Sequence, residues 1–375
     1  MKLKLINLIP FLYFLAITFS TNANYLDGLN AFKEQNYNLA FENWSESAED
    51  DPLSQFYLGY LYKNGLGVNI DYDKAFKFFK KASDNGLLEG HYNLALFFYK
   101  GLGIEKNDKL AFKYFDLSKE KIKNSNYYLG LLFLKGFGVE KDYIKAVEYF
   151  KISSKDNIPE AFCNLGFLFL SGLGVPQNYD EALNYYKKGA QMNIPDCQNG
   201  IGWIYNKGLG VKINLEKAIE WYELAANQNH KEAQFNLGII FLKENSEYNH
   251  KLTALKWFSL AAKQGLPEAQ YNFASIYFDG EGVVQDFKVA YEYYLMSAEN
   301  GFRKSQYQLS KMFFNGWGIK KDIVKSFMWA NISASQGYEK AIIERDNLIT
   351  MLSNTEVQKA QKLSLDCFSK NFKNC

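Results

Sequence analysis

The sequence predicts an all-α protein, an α-solenoid of about eight helix-turn-helix repeats of 35–36 residues with a cap at each end. Three observations predict it. A Gly-x-Gly element begins at residues 65, 101, 136, 172, 208, 280 and 316, in steps of 36, 35, 36, 36, 72 and 36. A small residue downstream keeps the same step: Ala75, Ala111, Ala146, Ala182, Ala218, Ala254, Ala290 and Ser326. Each copy also carries two apolar stripes at helical spacing, one on either side of the glycines. Two markers that hold one period, one over seven copies and the other over eight, establish an internal repeat.

Residues 161–190, AFCNLGFLFLSGLGVPQNYDEALNYYKKGA, show how one copy is built. Ala161, Leu165 and Phe169 lie at i, i+4 and i+8 on one face of a first helix; Ala182, Tyr185, Tyr186 and Ala190 do the same for a second. Gly172 and Gly174 fall where the first helix must stop, because glycine takes the left-handed backbone conformation without a Cβ clash. Gly166 sits in mid-helix at a cost of about 1 kcal/mol relative to Ala, and is expected to admit close approach of the partner helix. One such hairpin cannot bury its apolar stripe alone, whereas stacked copies bury it against each other.

With Ala161, Leu165, Gly166, Phe169, Gly172, Gly174, Val175, Ala182, Tyr186 and Ala190, and their counterparts elsewhere, the chain resembles a Sel1-like repeat protein, a relative of the tetratricopeptide family, over residues 54–337. The AIIERDNLI and KAQKL segments resemble the way such arrays end. The resemblance implies a right-handed α-solenoid superhelix used as an adaptor, often exported and often bacterial; by itself it brings no catalytic site.

In chain order, residues 1–23 read as a secretory signal with cleavage near Ala23. Lys2 and Lys4 precede an uncharged apolar run and small residues Thr21 and Ala23. The run is short for a membrane span of about 20 residues, and a retained anchor is the other reading. Removing the segment takes two lysines from 43 basic residues and none from 41 acidic ones, leaving a neutral chain. Such a chain lacks the basic field that dominates nucleic-acid affinity. Residues 24–53 carry half a pattern, with Ala40, Trp44 and Ala48 at helical spacing, and read as an N-terminal capping hairpin. Copies follow from Ser54, Gly90, Ser125, Ala161, Cys197, Ala233, Ala269 and Ser305. The sixth has Glu244 and Ser246 where glycines are expected, so its turn must close differently, as a degenerate loop or as a contact loop. Residues 338–375 read as a C-terminal cap and tail, with helices over 338–352 and 355–363.

Little in the chain supports catalysis. His91, His230 and His250 are scattered with no ligand-spaced partners, whereas a zinc site needs three or four convergent ligands, so no metal and no cofactor are expected. Each Gly-x-Gly follows a helix and lacks the third glycine of a dinucleotide fingerprint. Ser118 and Lys121 match a Ser-x-x-Lys motif with none of its accompanying motifs. The cysteines are Cys163, Cys197, Cys367 and Cys375. The seven residues between Cys367 and Cys375 resemble the spacing in the cysteine-rich branch of the family, which implies a disulfide there, although here it lies beyond the repeats. Cys163 and Cys197 are expected as small buried residues.

The functional signal is aromatic: Phe, Trp and Tyr make up 17% of the chain, more than core positions require. If the first glycine of each copy is position 12, positions 3, 7 and 10 form a second stripe on the first helix. By analogy with tetratricopeptide arrays this stripe lines the concave side. Its candidate protein-binding residues are Tyr60, Tyr99, Leu134, Phe167, Leu170, Trp203, Leu242, Phe278 and Phe314. Position 10 is apolar in six of eight copies. Those side chains either pack against the following loop and the next copy or form an exposed groove for an amphipathic helix or extended peptide. The expected function is a non-enzymatic scaffold, periplasmic or secreted, that binds a protein or peptide in envelope assembly, sensor regulation or host interaction. The rivals are a cysteine-rich envelope hydrolase or peptidoglycan- or β-lactam-binding protein, and a structural spacer.

Overall fold

A computed structural model of the chain describes residues 23–243, 250–280 and 282–375. The expected signal segment therefore lies outside the described residues except for Ala23, where the first helix begins. Among the described residues there are twenty helices and no strand. Two compact units divide the chain, residues 1–177 and residues 178–375. The first holds a hairpin of helices Ala23–Lys33 and Tyr37–Ser47, copies 1 to 3, and the first helix of copy 4, Pro159–Ser171. The second runs from Tyr179–Gln191 through copies 5 to 8 to helices Glu339–Ile349 and Asn354–Ser369.

Local chemistry sets each boundary. First helices open on proline in four copies, Pro52, Pro159, Pro195 and Pro267, where the missing N–H costs nothing. They close on a left-handed glycine, as at Gly172 with φ 67°. Second helices open on an Asp or Asn whose side chain accepts a backbone N–H, as Asp322 does from Lys325, except in the sixth copy, where His250 stands at the cap with no such bond. In the sixth copy both helices survive, Lys231–Leu242 and Lys251–Lys263, while the first ends on an extended Lys243 with ψ 122° instead of a glycine. The Glu244 to Ser246 turn itself lies outside the described residues. Seven junctions carry one left-handed residue, supplied by Asn157, Asn193 and Asn229 or by Gly86, Gly265, Gly301 and Gly337, while the junction between copies 2 and 3, residues 119–122, has none.

The mid-helix glycines make room for a ring. A Cβ on Gly59, Gly130, Gly202 or Gly238 would stand 2.5–2.9 Å from the ring of Phe79, Phe150, Tyr222 or Phe258 on the copy's second helix. Each of those rings is fully buried. Copies are then joined by a polar ladder. Gln234, 2% exposed, donates to the Ala226 carbonyl at 3.1 Å and accepts from Gln264 at 2.8 Å. Gln270 and Gln306 repeat the motif toward Ala262 and Ala298. In the first unit Gln55 donates to the Ala48 carbonyl and accepts from Asn85. A buried amide satisfied on both sides fixes the register between neighbours.

At the C-terminus, the last helix runs to Ser369, beyond the expected end at 363, because Ala360, Ser364 and Cys367 continue its buried stripe. Cys367 and Cys375 form a disulfide. Cys163 and Cys197 require a correction: both are buried, as expected, yet both are disulfide-bonded. Helical periodicity reports only that a cysteine faces inward and carries no information about its oxidation.

Candidate partner-binding face

First helices place positions 3, 7 and 10 on one side because 3.6 residues per turn bring i, i+4 and i+7 together. The nine candidates on that side divide by position. At position 10 the side chains lie against their own unit. Phe278 contacts the rings of Phe287, Tyr294 and Trp317, with centroids 5.1–6.3 Å apart. Tyr99 meets Tyr128 and Phe115 at 5.5 and 6.4 Å. Leu242 and Phe314 pack partly buried against the cores around Phe258 and Phe327, and Leu134 and Leu170 are partly buried as well. At position 7, Phe167 in the first unit is 44% exposed and Trp203 in the second is 38% exposed. Tyr60, also at position 7, is partly buried against Phe32 of the N-terminal hairpin.

Trp203 is the most accessible large ring of its stretch. The Lys207 ammonium sits 4.7 Å from its centroid, one turn along the same helix. Around it lie Asn199, which accepts a hydrogen bond from Asn236 of the next copy at 3.0 Å, and Gly200, whose missing side chain accommodates Tyr186. An indole flanked by primary amides combines apolar contact area with donors and acceptors for a peptide main chain.

The second helices hold an exposed aliphatic column that the spacing of the first helices does not reveal. Leu117 and Ile152 in the first unit, and Leu224 and Met296 in the second, are 43–50% exposed at one repeat position. Reading the sequence down that column would have found it, since lysine stands there in other copies.

The residues considered for chemistry are otherwise engaged. The Ser118 hydroxyl is fully buried and donates to the carbonyls of Tyr114 and Phe115, with Ser125 Oγ 2.7 Å away. His230 caps its helix, its Nδ1 accepting from the Ala233 N–H, while its Nε2 lies 3.1 Å from Asp196. That bond holds the Asp196 carboxyl below the ordinary carboxylate range. His91 bonds Ser83. Among the described residues no three His, Cys, Asp or Glu side chains converge as metal ligands, and no helix is long and apolar enough to cross a membrane.

The family model that matches is the Sel1 repeat, nine times over residues 11–338, its first match, 11–51, falling on the N-terminal hairpin and the segment before it. The chain belongs to the Sel1 repeat family. Similar solved structures include a Sel1 repeat protein from Oxalobacter formigenes, 24% identical with TM-score 0.62 over 88% of this chain and 95% of that one. Another is a protective antigen of uropathogenic Escherichia coli with an SLR fold, 23% identical with TM-score 0.52 over 93% and 84%. At such identities the likeness concerns the fold. Among curated proteins, an ERAD-associated E3 ubiquitin-protein ligase component of Arabidopsis thaliana, HRD3B, is 44% identical over 55 residues; the match spans 14% of this chain and 9% of that protein. Sel1 repeats are protein-interaction scaffolds, generally without catalysis of their own, so proteins are the partner class the family implies.

Proposed function

We propose that this chain is an exported, non-catalytic scaffold, periplasmic or secreted, that holds a protein or peptide on the face of its first helices. The observation that carries the reading is Trp203 in the second unit: at position 7 of its first helix it presents a large ring to solvent, 38% exposed, while in the same unit Phe278 at position 10 packs against its own unit. A rigid exposed ring on a rigid helix loses little entropy on binding, which favours its use as an anchor. Export is supported by the basic start and apolar run of residues 1–23 and by all four cysteines being disulfide-bonded, a state that persists in oxidising compartments. The buried, fully bonded Ser118 favours a scaffold over a serine hydrolase.

Bifunctional crosslinking of the protein in a Gram-negative periplasm, followed by mass spectrometry, tests the reading. A defined partner should be captured and should be lost from Trp203→Ala. Capture of nothing reproducible, or capture indifferent to Trp203→Ala and Phe167→Ala alike, contradicts it.

A further inference from the structure

The last helix breaks the rule that the others keep. Elsewhere consecutive helices pair as hairpins, but Asn354–Ser369 lies on Ile323–Ser335, the second helix of copy 8, rather than on Glu339–Ile349 before it. Its buried stripe is made of small residues, Ala360, Ser364 and Cys367, with Leu363 and Phe368 packed beside it. Small side chains let two helices approach closely, and the Ser364 hydroxyl donates to the Met328 carbonyl at 3.4 Å. Beneath it Met328, Trp329 and Ile332 are buried in one cluster with Cys367.

Ile332 holds the repeat position of the exposed aliphatic column. It is 0% exposed, against 44% for Met296 at the same position of copy 7, because the last helix covers the one and not the other. The column therefore has an occupant at one end, and that occupant is an amphipathic helix. Apolar surface continues beyond it through Tyr293, Leu295 and Met296 of copy 7 to Leu260 of copy 6. It is interrupted at copy 5 by the exposed Glu223 beside Leu224. The open stretch also differs in charge from the covered one. Where copy 8 has Met328, copies 6 and 7 have the exposed Lys256 and Glu292. A helix seated there meets an apolar strip that carries one positive and one negative charge.

We infer that the second-helix face of copies 6 and 7 docks an amphipathic helix of another protein, seated on Met296 and Leu260 as Asn354–Ser369 is seated on Ile332. Such a helix presents apolar or small residues at i, i+3, i+4 and i+7, the anchors of helix recognition. Beside them it carries an acid for Lys256 and a base for Glu292, charges that set register and orientation more than affinity. This goes beyond the first-helix reading: the face is a different one, and Trp203 takes no part in it.

The test pans a displayed library of 16-residue helices, the length of the last helix, randomised along one face, against the immobilised full chain. Enriched sequences should share the apolar stripe with an acid and a base beside it, and synthetic copies of them should slow amide exchange in residues 293–296. Met296→Glu, at a side chain that is 44% exposed, should weaken their binding about tenfold or more at an unchanged thermal midpoint. Glu292→Lys should change which sequences are enriched, and Trp203→Ala should leave binding as it is. No enrichment, enriched sequences without the stripe, or equal binding to Met296→Glu overturns the site. So does a chain that dimerises by itself and is made monomeric by Met296→Glu, which assigns the face to a second copy. Binding lost in Trp203→Ala and kept in Met296→Glu overturns this site and leaves the first-helix face standing; crosslinking from Trp203 decides that face separately.

Discussion

Trp203 and Phe278 look alike in the sequence, large rings on one stripe of a first helix, and the structure gives them opposite surroundings. Trp203 is 38% exposed and lies outside the ring clusters, so Trp203→Ala should destabilise less than Phe278→Ala while weakening partner binding about tenfold or more. Phe278 is wedged among Phe287, Tyr294 and Trp317, and Phe278→Ala should cost about 2–4 kcal/mol in chemical denaturation. The stripe was legible from spacing alone; the division within it was not, because it depends on Trp317 reaching back from the following turn. Gly130 permits a second residue-level prediction. A methyl there would stand 2.8 Å from the buried Phe150 ring, and overpacking of about 1–3 kcal/mol outweighs the roughly 1 kcal/mol of helix propensity regained. Gly130→Ala should therefore destabilise, whereas Gly86→Ala, with nothing within 4 Å, is penalised only by its left-handed φ of 81°.

At the scale of an element, the hairpin was readable because its signals are local: proline or glycine at a helix end, Asp or Asn at a cap, and alanines where helices touch. The joints between hairpins were not. Gln234, Gln270 and Gln306 are polar residues that composition would place on the surface, yet each is buried and bonded to the turn before it. Gln234→Leu removes an amide but strands the Ala226 carbonyl and the Gln264 side chain, and should cost about 1–3 kcal/mol, read as a lower midpoint in denaturant. The terminal element depends on its disulfide. The ring from Cys367 to Cys375 folds onto the turn after Phe287–Glu299, where Lys373 donates to Asn300 and the Asn374 N–H donates to Glu299. Cys375→Ser should remove about 2–3 kcal/mol, the loop-entropy value for so short a closure, and should raise amide exchange in residues 299–302. Wild-type exchange there would contradict the clasp.

For the whole molecule, stability is to a first approximation a sum over repeats and the interfaces between neighbours, with no single core to lose. Substitutions in one unit are then expected to leave amide-exchange protection in distant copies of that unit largely unchanged. Net charge close to zero, 43 basic against 41 acidic residues, leaves recognition to local features such as Trp203 and not to a long-range field. Periodicity made the architecture legible because eight copies repeat the same message. Function was less legible because it resides in departures from the repeat: an indole at one position 7, and cysteines whose bonding periodicity does not encode. The central claim is that the first-helix face holds the partner. It is tested most directly by placing a photo-crosslinking amino acid at Trp203 and, separately, at Leu224 on the exposed second-helix column, then irradiating cells that produce the protein. A single crosslinked partner from position 203 and none from 224 is the predicted result; the same partner from 224 alone would contradict it.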